Sequence, residues 1–168
     1  AIGYAEASGI PFVKALVKNK YIGRSFIYPT QELREQAVKV KLNPIKRLIA
    51  GKRVVVVDDS LVRGTTSKKL IKMIRDAGAK EVHFRSASPK VLNECHFGVD
   101  IADKKQLIAA YMTTEEICCE IGAETLEYLS LENLVKILRE NGGKGNNKNN
   151  QDNFCVGCFS GNYPIFDY

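Results

Sequence analysis

The chain has 168 residues, 45% hydrophobic and 26% charged, which fits one globular domain with a sizeable core. No apolar run approaches the roughly 20 residues that span a bilayer, and no basic stretch followed by an apolar one marks a signal peptide, so a cytoplasmic protein with no membrane partner is expected. The net charge of +6 is uneven: residues 1–53 carry eleven Lys or Arg against three Glu, which is +8, and the other 14 basic and 16 acidic residues give −2.

A basic first third points to an anionic partner. Aromatic residues are not interleaved with the basic ones as stacking on nucleic acid requires, so no nucleic-acid partner is expected. A small, highly phosphorylated ligand accounts for the charge, as does a solvated surface. The chain starts without Met, and Ala1 to Ser8 reads as the end of a helix stopped by Gly9; the polypeptide is expected to extend upstream. Pro11 to Val17 reads as a buried strand, and Lys18 to Pro29 as a basic loop around Gly23. Gln31 to Leu42 is helical by composition and is stopped by Asn43-Pro44. Arg53 to Val57 is a strand, and its four consecutive valines suit burial on both faces of a parallel sheet. Ser67 to Ala77 follows as a helix with Leu70, Ile71, Ile74 and Ala77 on one face and Gly78 at its end. Glu81 to Ala87 is the next strand.

Strand, helix and strand within about 35 residues make a βαβ unit, so the fold class is α/β with a largely parallel sheet flanked by helices. Thr113 and Glu116 form a capping-box pattern before a short helix ending at Gly122. Leu126 to Leu129 reads as an edge strand, and Ser130 caps a last helix reaching about Glu140. Asn141 to Asn153 is rich in Asn and Gly with almost no apolar residue and reads as a flexible linker. The organisation expected is a domain over 1–140, a linker over 141–153, and a cysteine-containing tail over 154–168 that packs on the body.

The most informative stretch runs from Val54 to Ser67, Val-Val-Val-Val-Asp-Asp-Ser-Leu-Val-Arg-Gly-Thr-Thr-Ser. An apolar strand ends in two acids, and a short loop then opens a helix. Ligands of open α/β sheets sit at the carboxyl ends of strands. The loop offers successive backbone N–H groups and the helix start adds partial positive charge, which together cradle a phosphate. Gly64 lets the backbone approach closely, and Thr65, Thr66 and Ser67 add hydroxyl donors. Asp58 and Asp59 would repel a phosphate; they suit sugar hydroxyls or a divalent cation. One ligand with a phosphate, a diol and magnesium-bound pyrophosphate satisfies both halves. The plainer reading is a βα turn with helix-capping residues. A Walker A loop is excluded, since no Gly-x4-Gly-Lys-Ser/Thr occurs.

Val54 to Ser67 resembles the signature that binds 5-phosphoribosyl-1-pyrophosphate (PRPP) in type I phosphoribosyltransferases. The resemblance implies that Asp58 and Asp59 hold the ribose hydroxyls and assist Mg2+, while Ser60, Arg63, Gly64, Thr65, Thr66 and Ser67 bind the substrate around its 5-phosphate. Lys18 to Ile27 resembles the catalytic loop of amidophosphoribosyltransferases, with Gln31-Glu32-Leu33-Arg34 following as in that family. Likeness continues through Ala77 to His83, Phe97-Gly98-Val99-Asp100 and Leu107-Ile108-Ala109. The implied reaction is attack of ammonia on C1 of PRPP, giving 5-phosphoribosylamine and pyrophosphate, the first committed step of purine synthesis. Lys18 and Arg24, with Mg2+, would meet the charge of the leaving pyrophosphate, and Ile27 would lie along the ammonia channel.

The family's pyrophosphate loop and its glutaminase domain would lie before Ala1, so this chain alone is expected not to use glutamine. Ser25 stands where Thr is common. The resemblance further implies a homo-oligomer and inhibition by purine nucleotides. A non-catalytic PRPP-binding regulator and a salvage phosphoribosyltransferase are the competing readings; Lys18, Arg24 and the tail cysteines weigh against the first, and the chain length and tail CxxC against the second.

Five cysteines in such a chain argue against a disulfide framework. Cys155-Val156-Gly157-Cys158 alone suits half a zinc site, a redox pair or neither. The tail from Cys155 to Pro164 resembles that of amidophosphoribosyltransferases carrying a 4Fe–4S cluster, which implies Cys95, Cys155 and Cys158 as ligands and a fourth upstream. Cys118 and Cys119 read as core residues, and neither His83 nor His96 has the partners of a general base.

Overall fold

Residues 1–18, 42–98, 103–141 and 154–163 are described by the computed structural model. The first helix, α1 (Ile2–Ser8), stops at Gly9, whose left-handed backbone returns its N–H to the Ala5 carbonyl. A short antiparallel pair follows, β1 (Leu16–Lys18) against β2 (Leu42–Pro44), with Val17 opposite Asn43. One turn of helix, α2 (Lys46–Ile49), leads into the main sheet.

That sheet has three parallel strands in the order β3 (Arg53–Asp58), β4 (Glu81–Ser86) and β5 (Thr125–Tyr128). The register sets Asp58 beside Ser86, and Ser86 beside Tyr128, so all three strands end at one edge. Parallel neighbours need crossovers. The first is α3 (Thr65–Asp76) and the second carries α4 (Thr114–Ile121) after two 3-10 turns at Lys104–Gln106 and Ile108–Ala110. Val82 and Phe84 on β4 are wholly buried against Ile71 and Ile74 of α3 and Ile117 and Ile121 of α4. Burying such side chains stabilises each by about 1.5–3 kcal/mol, and this layer is what holds the sheet edge in place.

The β3-α3-β4 unit and the alternation on β4 follow the sequence closely. α4 carries a complete capping box: the Glu116 N–H donates to Thr113 Oγ1 at 3.2 Å and the Thr113 N–H to Glu116 Oε2 at 2.7 Å. The last long helix, α5 (Leu131–Asn141), begins after Ser130, whose hydroxyl accepts from the Asn133 N–H at 3.1 Å.

Three expectations need correction. The strand placed at Pro11 to Val17 is confined to Leu16–Lys18, and Val17 is half exposed; Pro11 has no N–H for a ladder, and β1 pairs on one side only, with β2. Leu42, taken as the end of a helix, begins β2 instead. A residue before proline is driven to extended backbone, and Asn43 obeys this. The rest of that expected helix, 31–41, lies outside the described residues. Of the four valines, only Val56 is buried; among the described residues a cavity lined by Ala1, Tyr4, Ala5 and the segment 10–16 opens beside Val54–Val57.

The tail contributes a four-residue helix, α6 (Gly157–Ser160). The Cys158 carbonyl accepts from the N–H groups of Leu92 and Asn93 at 2.9 and 3.0 Å, and the Tyr163 hydroxyl donates to the Glu94 carbonyl. Of the linker read over 141–153, Asn141 instead ends α5, and residues 142–153 lie outside the described residues.

Candidate active site

The carboxyl end of β3 is where the chemistry gathers. Asp58 is the last residue of the strand, and its carbonyl still accepts from the Ala87 N–H at 2.9 Å, so the ladder fixes it. Leu61 is buried at 1% exposure and pins the turn to the core, while the Val62 carbonyl accepts from the Ile108 N–H at 3.0 Å. Gly64 then turns into α3 with φ of 75°, a conformation L side chains avoid. A Cβ there would stand 2.9 Å from Ile108 Cδ1. Backbone angle and close approach together demand glycine.

No side chain caps α3. Its first N–H groups therefore face outward from a helix start flanked by exposed Thr65 and Thr66, with Ser67 tucked beneath. A twelve-residue helix ends in positive partial charge there and accepts an anion.

One cavity of about 700 Å3 collects these parts. It is lined by Asp58, Asp59, Ser60, Val62, Arg63, Gly64, Thr65, Thr66 and Ser67, and closed by Ser88, Val91, Cys158 and Phe159. The acid pair and the anion cradle thus share one space at the sheet edge. Within it, the Asp59 N–H donates to Asp58 Oδ1 at 3.1 Å, and the Ser60 hydroxyl donates to Asp59 Oδ1 at 3.2 Å. Partial burial pushes the Asp58 carboxyl above its ordinary value; the bond from the Asp59 N–H opposes this, and the Asp59 charge adds to it. A carboxylate held at such a cost favours a cation or hydroxyl donors as its partner. A smaller cavity of about 250 Å3, between the segment 10–16 and Val54–Val57, has Lys14 as its one charged side chain and offers no comparable chemistry.

The remaining expected residues stand elsewhere. Lys18 closes β1, exposed, and does not line the cavity. Arg24 and Ile27 lie outside the described residues. Cys158 is half-buried; its thiol is pushed up chiefly by burial, then by the charges of Cys95 and Cys155. Among the described residues no three His, Cys, Asp or Glu side chains close on a point as around one metal ion. Thiolates are the donors that both iron–sulfur clusters and zinc take, so the three cysteines suit such a group in donor chemistry. Cys118 is half-buried and donates to the Ala123 carbonyl, but Cys119 is exposed, since α4 turns Ile117 and Ile121 to the core. His83 contacts Glu81 and Thr125 on the sheet, and His96 lies 4.6 Å from the Tyr163 ring.

Sequence reading gave no place in the cavity wall to Val62, Ser88, Val91, Cys158 or Phe159. Ser88 and Val91 follow β4, and the rule that ligands sit at the carboxyl ends of strands could have found them. Cys158 was singled out only as a thiol, and no local signal marks Phe159.

Residues 6–87 match the phosphoribosyl transferase domain family. With the parallel sheet and the cavity at its carboxyl edge, this makes the fold that of a type I phosphoribosyltransferase. The chain is 49% identical over 168 residues to the amidophosphoribosyltransferase of Bacillus subtilis, covering 100% of this chain and 34% of that protein. It is 49% identical over 165 residues to that of Synechococcus elongatus, covering 98% and 32%. The solved glutamine PRPP amidotransferase of B. subtilis, complexed with ADP and GMP, superposes with a TM-score of 0.81 over 100% of this chain and 36% of that one. Over nearly its whole length this chain is similar to amidophosphoribosyltransferases, and it spans about a third of the length of these relatives.

Because a charged Asp58 is unfavourable in the empty site, Asp58→Asn should raise the thermal midpoint at neutral pH. A raised folded-state pKa means that the wild-type deficit is full above that pKa, shrinks as pH falls from it, and is gone below the ordinary carboxyl value. The gain should therefore shrink as pH falls and Asp58 takes up its proton; melting curves of both proteins across pH check this.

Proposed function

We propose that this chain supplies the PRPP-binding and phosphoribosyl-transfer part of an amidophosphoribosyltransferase. The observation that carries the proposal is the single cavity holding Asp58, Asp59 and the uncapped start of α3. In the proposed reaction, ammonia attacks C1 of PRPP, the bond from C1 to the pyrophosphate oxygen breaks, and pyrophosphate leaves with the electron pair. The nitrogen then loses a proton to give 5-phosphoribosylamine. In the complete enzyme the ammonia comes from glutamine, through a glutaminase domain upstream.

The groove divides the work by charge. Amides at Gly64–Ser67 and the hydroxyls of Thr65 and Thr66 take the 5-phosphate. Asp58 and Asp59 take the two ribose hydroxyls and stabilise positive charge as it develops on the sugar ring. The same carboxylates would hold Mg2+, which supplies charge neutralisation at the leaving pyrophosphate. Lys18 and Arg24 are proposed to add cations to that end, and Ile27 to line the ammonia path. Relatives at 49% identity carry the name amidophosphoribosyltransferase, so neither a mute PRPP sensor nor a salvage enzyme is favoured. Purine nucleotides as inhibitors gain support from the relative solved with ADP and GMP. A homo-oligomer and a cytoplasmic location complete the proposal; no described helix is long and apolar enough to cross a membrane.

Cys95, Cys155 and Cys158 are proposed to hold a 4Fe–4S cluster with a fourth thiolate from elsewhere. A cluster there would fasten the tail to the segment after β4, a structural duty apart from the transfer step. Iron and acid-labile sulfide should be present in the anaerobically purified protein and should fall together in Cys155→Ser; their absence from the wild type refutes the cluster.

The transfer reading is tested in the protein as encoded, supplied with PRPP, Mg2+ and ammonium. Pyrophosphate release should fall by at least about a hundredfold in Asp58→Asn and in Asp59→Asn, the scale of losing a group that meets charge in the transition state. Wild-type protein that binds PRPP without turnover would favour the sensor instead.

A further inference from the structure

The cavity has both polar and apolar lining residues. Its apolar wall is Val62, Val91 and Phe159. Val91 is buried at 3% exposure and belongs to the body. Phe159 is different. It is half-buried, does not belong to the core cluster, and forms no ring pair among the described residues. A large apolar ring standing half exposed beside two carboxylates and an anion cradle costs hydration unless something packs on it.

Its placement is set with care. Phe159 lies in α6, whose Cys158 carbonyl takes both the Leu92 and Asn93 N–H groups, one residue beyond Val91 in the same wall. Tyr163 folds back so closely on Gly157 that a Cβ there would meet its ring at 2.3 Å. Its hydroxyl is anchored on the Glu94 carbonyl. The tail is therefore locked at several points to the strand-end segment that borders the site, and the ring it delivers is the last piece of the wall.

We propose that Phe159 is a substrate-positioning residue, presenting an apolar face to the pentose between the two polar grips. This rests on the reading of the cavity as a PRPP site. A sugar ring held by its hydroxyls at one end and its phosphate at the other leaves its C–H face uncovered, and an aromatic ring suits that face. Packing there also excludes water, which strengthens the neighbouring charge contacts and protects an activated sugar from hydrolysis. The tail thereby becomes part of the site, and its docking and ligand binding reinforce each other.

Calorimetric titration of the encoded protein with Mg2+ and PRPP tests this. Phe159→Ala should weaken binding about tenfold, and Phe159→Tyr, which keeps the ring, should return to within about twofold of wild type. The melting temperature of ligand-free protein should be unchanged in Phe159→Tyr. Equal affinity in Phe159→Ala and wild type overturns the inference, as does a loss in Phe159→Ala that Phe159→Tyr fails to restore. Should Phe159→Ala not fold, Phe159→Trp gives a second reading: saturating PRPP must shift its emission, and an unmoved spectrum overturns the inference. Wild-type protein that binds no PRPP at all would instead remove the PRPP reading beneath it.

Discussion

Two adjacent carboxylates and an anion-binding helix start cannot both be satisfied by a ligand of a single charge. Asp58 and Asp59 sit where β3 ends, and the open N–H groups of α3 begin at Thr65, six residues after Asp59, in the same cavity. A bare phosphate satisfies the second and is repelled by the first, while a cation does the reverse. A phosphorylated sugar satisfies both, because its hydroxyls separate the phosphate from the carboxylates. Every other part of the structure serves to hold that separation fixed.

The support runs from core to edge. Phe84 and Val82 lock β4 between α3 and α4, and β4 in turn fixes β3 by six paired positions. Leu61 buries the middle of the turn, Ile108 meets it both through its N–H and through the side chain that crowds Gly64. A site precise to fractions of an ångström needs such backing. The price is visible at Asp58, whose partly buried carboxyl is pushed upward.

Much of this was legible in the sequence because it is local. The valine strand, the acid pair, Gly64 and the hydroxyls all lie within fourteen consecutive residues, and the capping box at Thr113 and Glu116 is likewise a three-residue matter. What escaped was set by distance or by competition. Leu42 has a helical composition around it, yet the constraint before Pro44 and pairing with β1 won. Cys119 sits in an apolar run but falls on the wrong side of α4. Phe159 reaches the site across some seventy residues of chain from Ser88, and nothing in its own neighbourhood announces that.

The central claim is that one ligand spans the acid pair and the helix start. A crystal structure of the protein with Mg2+ and PRPP tests it most directly. The account requires the ribose hydroxyls within hydrogen-bond distance of Asp58 and Asp59 and the 5-phosphate on the amides of Gly64–Ser67. A phosphate bound away from those amides, or a ribose turned from the two carboxylates, would contradict it.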